Sequence, residues 1–166
     1  MSLECALAAD RAGLIEPASI EYEHALAAGD RSLTVLLNLA LLYWQATDPG
    51  LAAGKNLAPV FFATAGQRFP ELLNEAEQRF QDSTAARFWK RYIAWADLGE
   101  PLDGNECRRL LEEDPGTLVP AMWIFADSAG REAQAEAHEL LRQCRQDGTT
   151  GARYVVSVIE GVMNRS

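Results

Sequence analysis

Lysine, cysteine and long apolar runs are all scarce in this sequence of 166 residues. Only Lys55 and Lys90 are present against 13 arginines, a bias typical of GC-rich bacterial genes. The three cysteines are odd in number and widely spaced, which favours reduced, buried thiols in a cytoplasmic protein over a disulfide framework. The first ten residues contain Glu4 and Asp10 but no basic residue, so we expect no secretory signal. The longest apolar run, 33–44, is too short to cross a bilayer.

Positive charge is also in deficit, with 15 basic against 24 acidic residues and a net charge of −9. An acidic surface repels phosphate backbones, so we expect no nucleic-acid partner, and we expect no membrane partner either. The hydrophobic fraction of 48% excludes intrinsic disorder. A chain of this length and composition predicts one globular domain over residues 1–166.

Alanine and leucine dominate what is present, and β-branched residues are scarce until the last segment, so local propensity favours helix. Caps, prolines and glycines predict helices over 3–12, 17–28, 33–47, 70–81, 84–98, 104–113, 117 or 119 to 129, 131–146 and 151–163. The stretch 51–69 contains Gly54, Pro59 and Gly66, which predicts a broken or offset helix. Nine or ten helices with short loops pack as antiparallel neighbours. The predicted fold class is therefore all-α.

One part of the sequence has an ordered series of large and small apolar residues on two successive helices. The series consists of Ala18, Tyr22 and Ala25, followed by Leu36, Leu39, Ala40 and Tyr43. It resembles the tetratricopeptide repeat, in which small residues let helices approach closely and the aromatic residue fills the notch between hairpins. The resemblance implies antiparallel hairpins stacked in a short right-handed α-α superhelix. An irregular closed helical bundle is the alternative.

The catalytic motifs that we compared with the sequence each lack a required residue. The helix that starts at His138 has Arg142 where the second zinc-ligating histidine belongs, and a guanidinium does not bind zinc. The segment 50–56 has the wrong glycine spacing for a phosphate loop. Ser128 is preceded two positions earlier by Ala126 rather than by the glycine of a nucleophile elbow. We therefore expect a protein that is not an enzyme and that needs no metal and no cofactor.

The first candidate binding site lies on the predicted helix 84–98, where cations and aromatic residues alternate. An apolar stripe at helical spacing is formed by Phe88, Tyr92 and Trp95, and it predicts the buried face. Arg87, Trp89 and Arg91 lie off that stripe. Two arginines one turn apart can hold a carboxylate, and an exposed tryptophan beside them is typical of a protein-binding hot spot. We therefore predict that these three residues bind a partner, with burial of this helix in the core as the alternative.

The second candidate site is an extra apolar stripe on the helix 33–47. The stripe consists of Leu33, Leu37, Leu41 and Trp44. In the family that the sequence resembles, a groove binds a peptide, so Leu37, Leu41 and Trp44 are predicted to contact one. Asn38 matches the position of a groove asparagine in the carboxylate-clamp members, although the partner lysines of the clamp are absent. The alternative is that the segment 51–69 packs over this stripe.

These features predict a non-enzymatic protein that binds a protein or peptide partner. Small acidic bacterial proteins of this build include adaptors, secretion chaperones and immunity proteins that neutralise a toxin. The four tryptophans favour a second interpretation, a self-associating structural module that forms a homodimer. An enzyme of unrecognised type is the third.

Overall fold

Ten helices and no strand make up residues 2–165, the part of the chain that the computed structural model describes. About 76% of these residues are helical, which confirms the predicted all-α class. The helices are α1 Ser2–Arg11, α2 Ile15–Ala27, α3 Leu33–Ala46, α4 Pro49–Gly54, α5 Pro59–Arg79, α6 Thr84–Leu98, α7 Gly104–Glu113, α8 Pro120–Asp127, α9 Gln134–Asp147 and α10 Thr150–Met163. Within residues 2–165, none of these helices combines the length and the apolar character that crossing a bilayer requires.

Side-chain caps fix the starts of several helices where the sequence predicted them. The side chains of Ser32, Ser83 and Asp103 each accept a hydrogen bond from a backbone N–H in the first turn of the following helix. Gly99 ends α6 in the left-handed conformation, with φ of +70°, which glycine adopts without steric cost. These boundaries are confirmed because capping depends on local sequence alone.

The prediction that Pro70 begins a helix is wrong. Pro70 lies inside α5, which continues from Pro59 to Arg79. A proline removes one helical hydrogen bond, but α5 buries Leu72 and Leu73 beyond that point, and an ion pair from Arg68 to Glu71 spans it. Packing therefore outweighs the local preference. The break that was predicted within 51–69 is present. It lies at residues 55–58, between α4 and α5.

The predicted start of α9 at Arg131 is also wrong, because the helix begins at Gln134. Ala129 and Ala133 have positive φ angles of 53° and 56°, so the chain turns twice before it becomes helical. A positive φ angle costs an alanine about 1 kcal/mol or more of conformational free energy, so alanine rarely adopts it. The turn was not predicted because alanine normally indicates helix.

The chain divides into two compact units. Unit 1 comprises the chain up to Phe80 together with Gly148–Gly151, and unit 2 comprises Gln81–Asp147 together with the chain from Ala152 onward. The first residues of α10 therefore belong to unit 1, and the remainder of that helix belongs to unit 2. One domain over residues 1–166 stays a prediction.

Unit 1 is built around α3, which packs most extensively against α5 and also against α2 and α4. All the residues that carry the repeat resemblance are buried here, namely Ala18, Tyr22, Ala25, Leu36, Leu39, Ala40 and Tyr43. The Tyr43 ring lies 5.9 Å from the ring of Phe61 on α5, measured between centroids. The small and aromatic residues thus lie in the core, as expected, while the tetratricopeptide-like superhelix stays a prediction.

A buried carboxylate joins three segments of unit 1. Asp10 has no exposed surface, and its Oδ2 accepts a hydrogen bond of 2.8 Å from the hydroxyl of Tyr22 on α2. Its Oδ1 accepts two more from Thr150 at the start of α10, one from the backbone N–H at 2.8 Å and one from the hydroxyl at 2.6 Å. A buried carboxylate requires such donors, because burying a charge without them is very costly. Asp10 therefore fixes the segment 148–151 against α1 and α2.

Replacing Asp10 with alanine should destabilise unit 1 by at least about 3 kcal/mol, because buried donors of Tyr22 and Thr150 lose their acceptor and each costs about 1–3 kcal/mol. Urea denaturation measures the change. The control is Asp82→Ala at an exposed site, which should remain within about 0.5 kcal/mol of the original protein. Equal stabilities for the two variants would contradict this role of Asp10.

A close helix contact in unit 1 requires glycine at position 151. A Cβ atom built on Gly151 would lie 2.6 Å from Cδ1 and 3.1 Å from Cβ of Leu41 on α3. Gly161, in the same helix, has only the flexible Arg165 side chain nearby, at 3.5 Å. Glycine is therefore required by the close contact at position 151, whereas no such contact requires it at position 161.

Gly151→Ala should destabilise the protein by about 1–2 kcal/mol, because overpacking at Leu41 exceeds the gain in helix propensity. Gly161→Ala, the matched control, should instead stabilise it by up to about 1 kcal/mol. Thermal melts followed by circular dichroism compare the two. If Gly151→Ala also stabilised the protein, α10 would not contact Leu41 as described.

Unit 2 stacks its helices in chain order, with α7 against α6, α8 against α7 and α9 against α8. A cluster of aromatic rings fills the core beside α6. The ring of Phe88 lies 5.5 Å from the rings of both Trp89 and Tyr92, and Tyr154 on α10 closes the cluster at 6.1 Å from Tyr92. Such edge-to-face and stacked pairs stabilise a core beyond the area that they bury.

Candidate functional site

The structure buries Trp89, so the expectation of an exposed tryptophan between Arg87 and Arg91 is wrong. Its side chain is 4% exposed and belongs to the aromatic core of unit 2. Both arginines bind carboxylates of their own chain. Arg87 donates to Glu113 at 2.7 Å, and Arg91 donates to both oxygens of Glu106 at 3.1 Å. The pair therefore connects α6 to α7, and partner binding by these three residues stays a prediction.

The apolar stripe of α3 is not an open surface either. Leu37, Leu41 and Trp44 are 8%, 5% and 7% exposed, and Leu41 contacts Gly151 at the start of α10. Of the two alternatives, the burial supports a covered stripe, although the start of α10, far along the chain, covers Leu41 and was not predicted to do so. Asn38 is half-buried on the same helix. Partner binding by Leu37, Asn38, Leu41 and Trp44 stays a prediction.

The cysteines are free thiols in the structure, and their environments differ from one another. Cys107 is buried, as expected, and burial raises the pKa of its thiol to about 12. Cys144 is half-buried, and burial likewise raises the pKa of its thiol to about 11. Cys5 is exposed, so its predicted burial is wrong. The elevated pKa values of Cys107 and Cys144 make both thiols poor nucleophiles.

Unit 1 has a cleft of about 480 Å³ between α2 and the start of α5. Ile20 and Val60 on its walls are exposed, but its carboxylates already have partners. Glu23 accepts hydrogen bonds from Arg68 at 2.9 and 3.0 Å and from the hydroxyl of Tyr43 at 3.0 Å. These polar groups therefore stabilise unit 1 and are not positioned for a ligand.

The environment of Glu23 lowers the pKa of its carboxyl group. Burial alone raises this pKa, but the hydrogen bonds and positive charge of Arg68, with the Tyr43 hydroxyl, outweigh burial, so the pKa lies below its ordinary value of 4.5. Glu23 therefore binds a proton less readily in the folded chain than in the unfolded chain. Its stabilising effect is complete above pH 4.5 and is lost as the pH falls through the folded-state pKa.

Glu23→Gln should reduce the free energy of unfolding by about 1 kcal/mol at neutral pH, an amount that allows for solvent screening of a partly exposed pair. The difference from the original protein should shrink as the pH falls below 4.5 and disappear below the folded-state pKa of Glu23, where both side chains are neutral. Urea denaturation between neutral and acidic pH measures it. Glu4→Gln, at an exposed position without an ion pair in residues 2–165, is the control. A Glu23 difference that did not change with pH would contradict this assignment.

Unit 2 contains a larger cleft, of about 560 Å³, which we call the aromatic cleft. Its lining consists of Tyr92, Trp95, Trp123, Ala126, Asp127, Ala129, Val158, Val162 and Arg165. Helices α6, α8 and α10 contribute these side chains, together with the turn after α8. The rings of Trp95 and Trp123 meet edge to face at 6.3 Å, and Tyr92 lies 5.4 Å from Trp95. The cleft therefore has aromatic walls that contact one another.

Trp95 is the exposed member of this aromatic group. Its side chain is 41% exposed, so the expectation that it belongs to the buried stripe of α6 is wrong. Trp89 lies on the buried face of α6 instead, so this face is centred further from Trp95 than the sequence predicted. Leu98, one turn later, is 74% exposed, and Met163 at the end of α10 is 36% exposed. Helices α6 and α10, which contribute to the lining, thus each carry a further exposed apolar side chain.

Two charged residues of opposite sign complete the lining. The carboxylate of Asp127 is exposed and makes no ion pair or hydrogen bond with residues 2–165. Arg165 donates a hydrogen bond of 2.9 Å to the backbone oxygen of Gly161, which leaves its remaining donors available. Tyr92 and Tyr154 share a hydrogen bond of 2.7 Å between hydroxyls, and burial raises the pKa of both. The phenols therefore stay neutral, and the cleft offers apolar contact with two charged groups at its sides.

Sequence analysis missed this cleft because it assigned Trp95 to the core. One local signal was available. Trp95 and Leu98 continue an apolar row past the last buried residue of α6, Ile93, toward the end of the helix. The contribution of Trp123 and Val162 depends on contacts between distant segments, which a single sequence does not reveal.

No protein-family model, curated protein or solved structure matches this chain. Among residues 2–165, no group of three or more histidine, cysteine or acidic side chains is arranged to hold a metal ion.

Proposed function

We propose that this protein is a non-enzymatic binding module that holds a protein or peptide partner at the aromatic cleft of unit 2. The observation that carries the proposal is Trp95, a large apolar side chain that is 41% exposed and lines a cleft of about 560 Å³. Burying a tryptophan of this kind at an interface removes a large apolar area from water, which is why tryptophan is enriched among binding hot spots.

The surroundings of Trp95 suit a protein surface rather than a reaction. Leu98 and Met163 provide further exposed apolar area. Asp127 and Arg165 provide one acceptor and one donor group at the lining, which can fix the orientation of a bound chain. Asp127 is the one carboxylate of the lining, and no histidine, cysteine or serine in the lining pairs with it for nucleophilic or acid–base chemistry.

Adaptors, secretion chaperones and immunity proteins differ in what they bind. An adaptor joins two folded proteins, a secretion chaperone holds a protein before export, and an immunity protein blocks a toxin. The identity of the bound partner therefore assigns the role. We propose a cytoplasmic protein of one of these three kinds, and we propose a tetratricopeptide-like arrangement for the helices of unit 1.

Trp95→Ala should weaken partner binding at least tenfold, the equivalent of about 1.4 kcal/mol, because the hot-spot side chain is removed. The partner is first captured on the immobilised protein and identified by mass spectrometry, and its affinity is then measured by calorimetry. Stability should fall by about 1–2 kcal/mol through the lost ring contacts with Tyr92 and Trp123, so circular dichroism first checks that the variant is folded.

The control variant is Leu14→Ala, which removes a side chain of unit 1 that is 52% exposed and is not among the residues that line the aromatic cleft. It should bind the partner as the original protein does. A folded Trp95→Ala variant with unchanged affinity would contradict the proposal. The alternative is that the cleft is a self-association surface. Sedimentation of the purified protein tests it: the original protein would then be a homodimer, and the Trp95→Ala variant would be a monomer.

A further inference from the structure

A second cleft of unit 2 combines an apolar floor with acidic sides, and we call it the acidic groove. It has a volume of about 510 Å³. The apolar part of its lining consists of Leu111, Pro115, Leu118, Ile124 and Ala133. These residues come from the end of α7, the loop before α8, α8 itself and the turn before α9. The acidic groove shares no lining residue with the aromatic cleft.

The charged residues of the acidic groove are three glutamates and one arginine. Glu132 accepts a hydrogen bond of 2.7 Å from Arg108, so these two charges compensate each other. Glu112 and Glu136 are exposed and make no ion pair or hydrogen bond with residues 2–165. The groove therefore carries two uncompensated negative charges beside an apolar floor.

The apolar floor and the two carboxylates together determine which kind of ligand the acidic groove can bind. An apolar ligand without charge would leave both carboxylates unpaired, and an anionic ligand would be repelled. A peptide segment with apolar side chains on one face and lysine or arginine beside them satisfies the floor and the carboxylates together. Helices of this kind bind apolar grooves through side chains at positions i, i+3, i+4 and i+7.

We propose that the acidic groove binds a basic amphipathic helix of a protein partner, with its apolar face on Leu111, Pro115 and Leu118 and its cations beside Glu112 and Glu136. The proposal goes beyond binding at the aromatic cleft and does not depend on it. A lone acidic cluster would attract any cation, whereas the apolar floor requires a ligand whose apolar and basic side chains lie on one helix. This amphipathic pattern of the ligand therefore provides the specificity of binding.

Fluorescence anisotropy with a labelled synthetic peptide tests the proposal on the full chain. The probe is a peptide of about 18 residues made of leucine and lysine, with leucine at the helical spacing of one apolar face. We expect saturable binding that weakens as salt is raised, because exposed charges are screened. A peptide with the same composition in scrambled order, and one with glutamate in place of lysine, should bind at least tenfold more weakly. Equal binding of the scrambled peptide, or no binding of the probe, would overturn the proposal.

Substitutions then locate the site. Glu112→Gln with Glu136→Gln should weaken binding of the probe about tenfold, the equivalent of about 1.4 kcal/mol. The matched control, Glu4→Gln with Asp82→Asn, removes the same net charge from exposed positions outside the groove and should change affinity less than twofold. An equal loss in the control would overturn the proposal, because it would show attraction by net charge alone.

Arg108→Gln provides a gain-of-function test. It removes the only cation of the lining and frees Glu132, so it should strengthen binding of the basic probe several-fold. A weaker complex with this variant would contradict the proposed electrostatics. Trp95→Ala should leave binding of the probe unchanged, which separates this groove from the aromatic cleft. Loss of probe binding in a folded Trp95→Ala variant would place the peptide elsewhere and overturn the assignment.

Discussion

The carboxylate of Asp10 is the acceptor on which the arrangement of unit 1 depends. It joins α1 to Tyr22 on α2 and to Thr150, which lies 140 positions later in the chain. A buried charge can exist there only because hydroxyl and backbone donors surround it. Those donors bring Gly148–Gly151 into unit 1, where Gly151 lets α10 approach Leu41 closely. The apolar stripe of α3, which resembles an open groove in the sequence, is covered at Leu41 for this reason.

Local chemistry explains which parts of the fold could be predicted from the sequence. Ser32, Ser83 and Asp103 cap helices through contacts within four residues, so the sequence is sufficient to place them. The continuous α5 through Pro70 could not be predicted, because packing against α3 overrides a local preference. The candidate site was missed for a related reason. The periodicity of α6 fits either Trp89 or Trp95 on the buried face, and only the neighbouring helices decide between them.

Unit 2 separates two kinds of surface that support binding in different ways. The aromatic cleft offers a large apolar side chain, Trp95, whose burial favours association with little dependence on salt. The acidic groove offers Glu112 and Glu136 beside an apolar floor, so the binding that we propose there should depend on salt and on the charge of the ligand. A net charge of −9 supports the second mode in particular, because it favours encounter with basic partners. The two surfaces together are the basis on which we propose a binding module.

Nuclear magnetic resonance of the tryptophan indole N–H groups tests the central claim most directly, because the chain has four tryptophans and only Trp95 and Trp123 line the aromatic cleft. During titration with the captured partner, we predict that the indole signals of Trp95 and Trp123 shift in proportion to occupancy, while those of Trp44 and Trp89 stay in place. Assignment by single tryptophan-to-phenylalanine variants identifies each signal. Saturation of the complex without a shift at Trp95 would contradict the account.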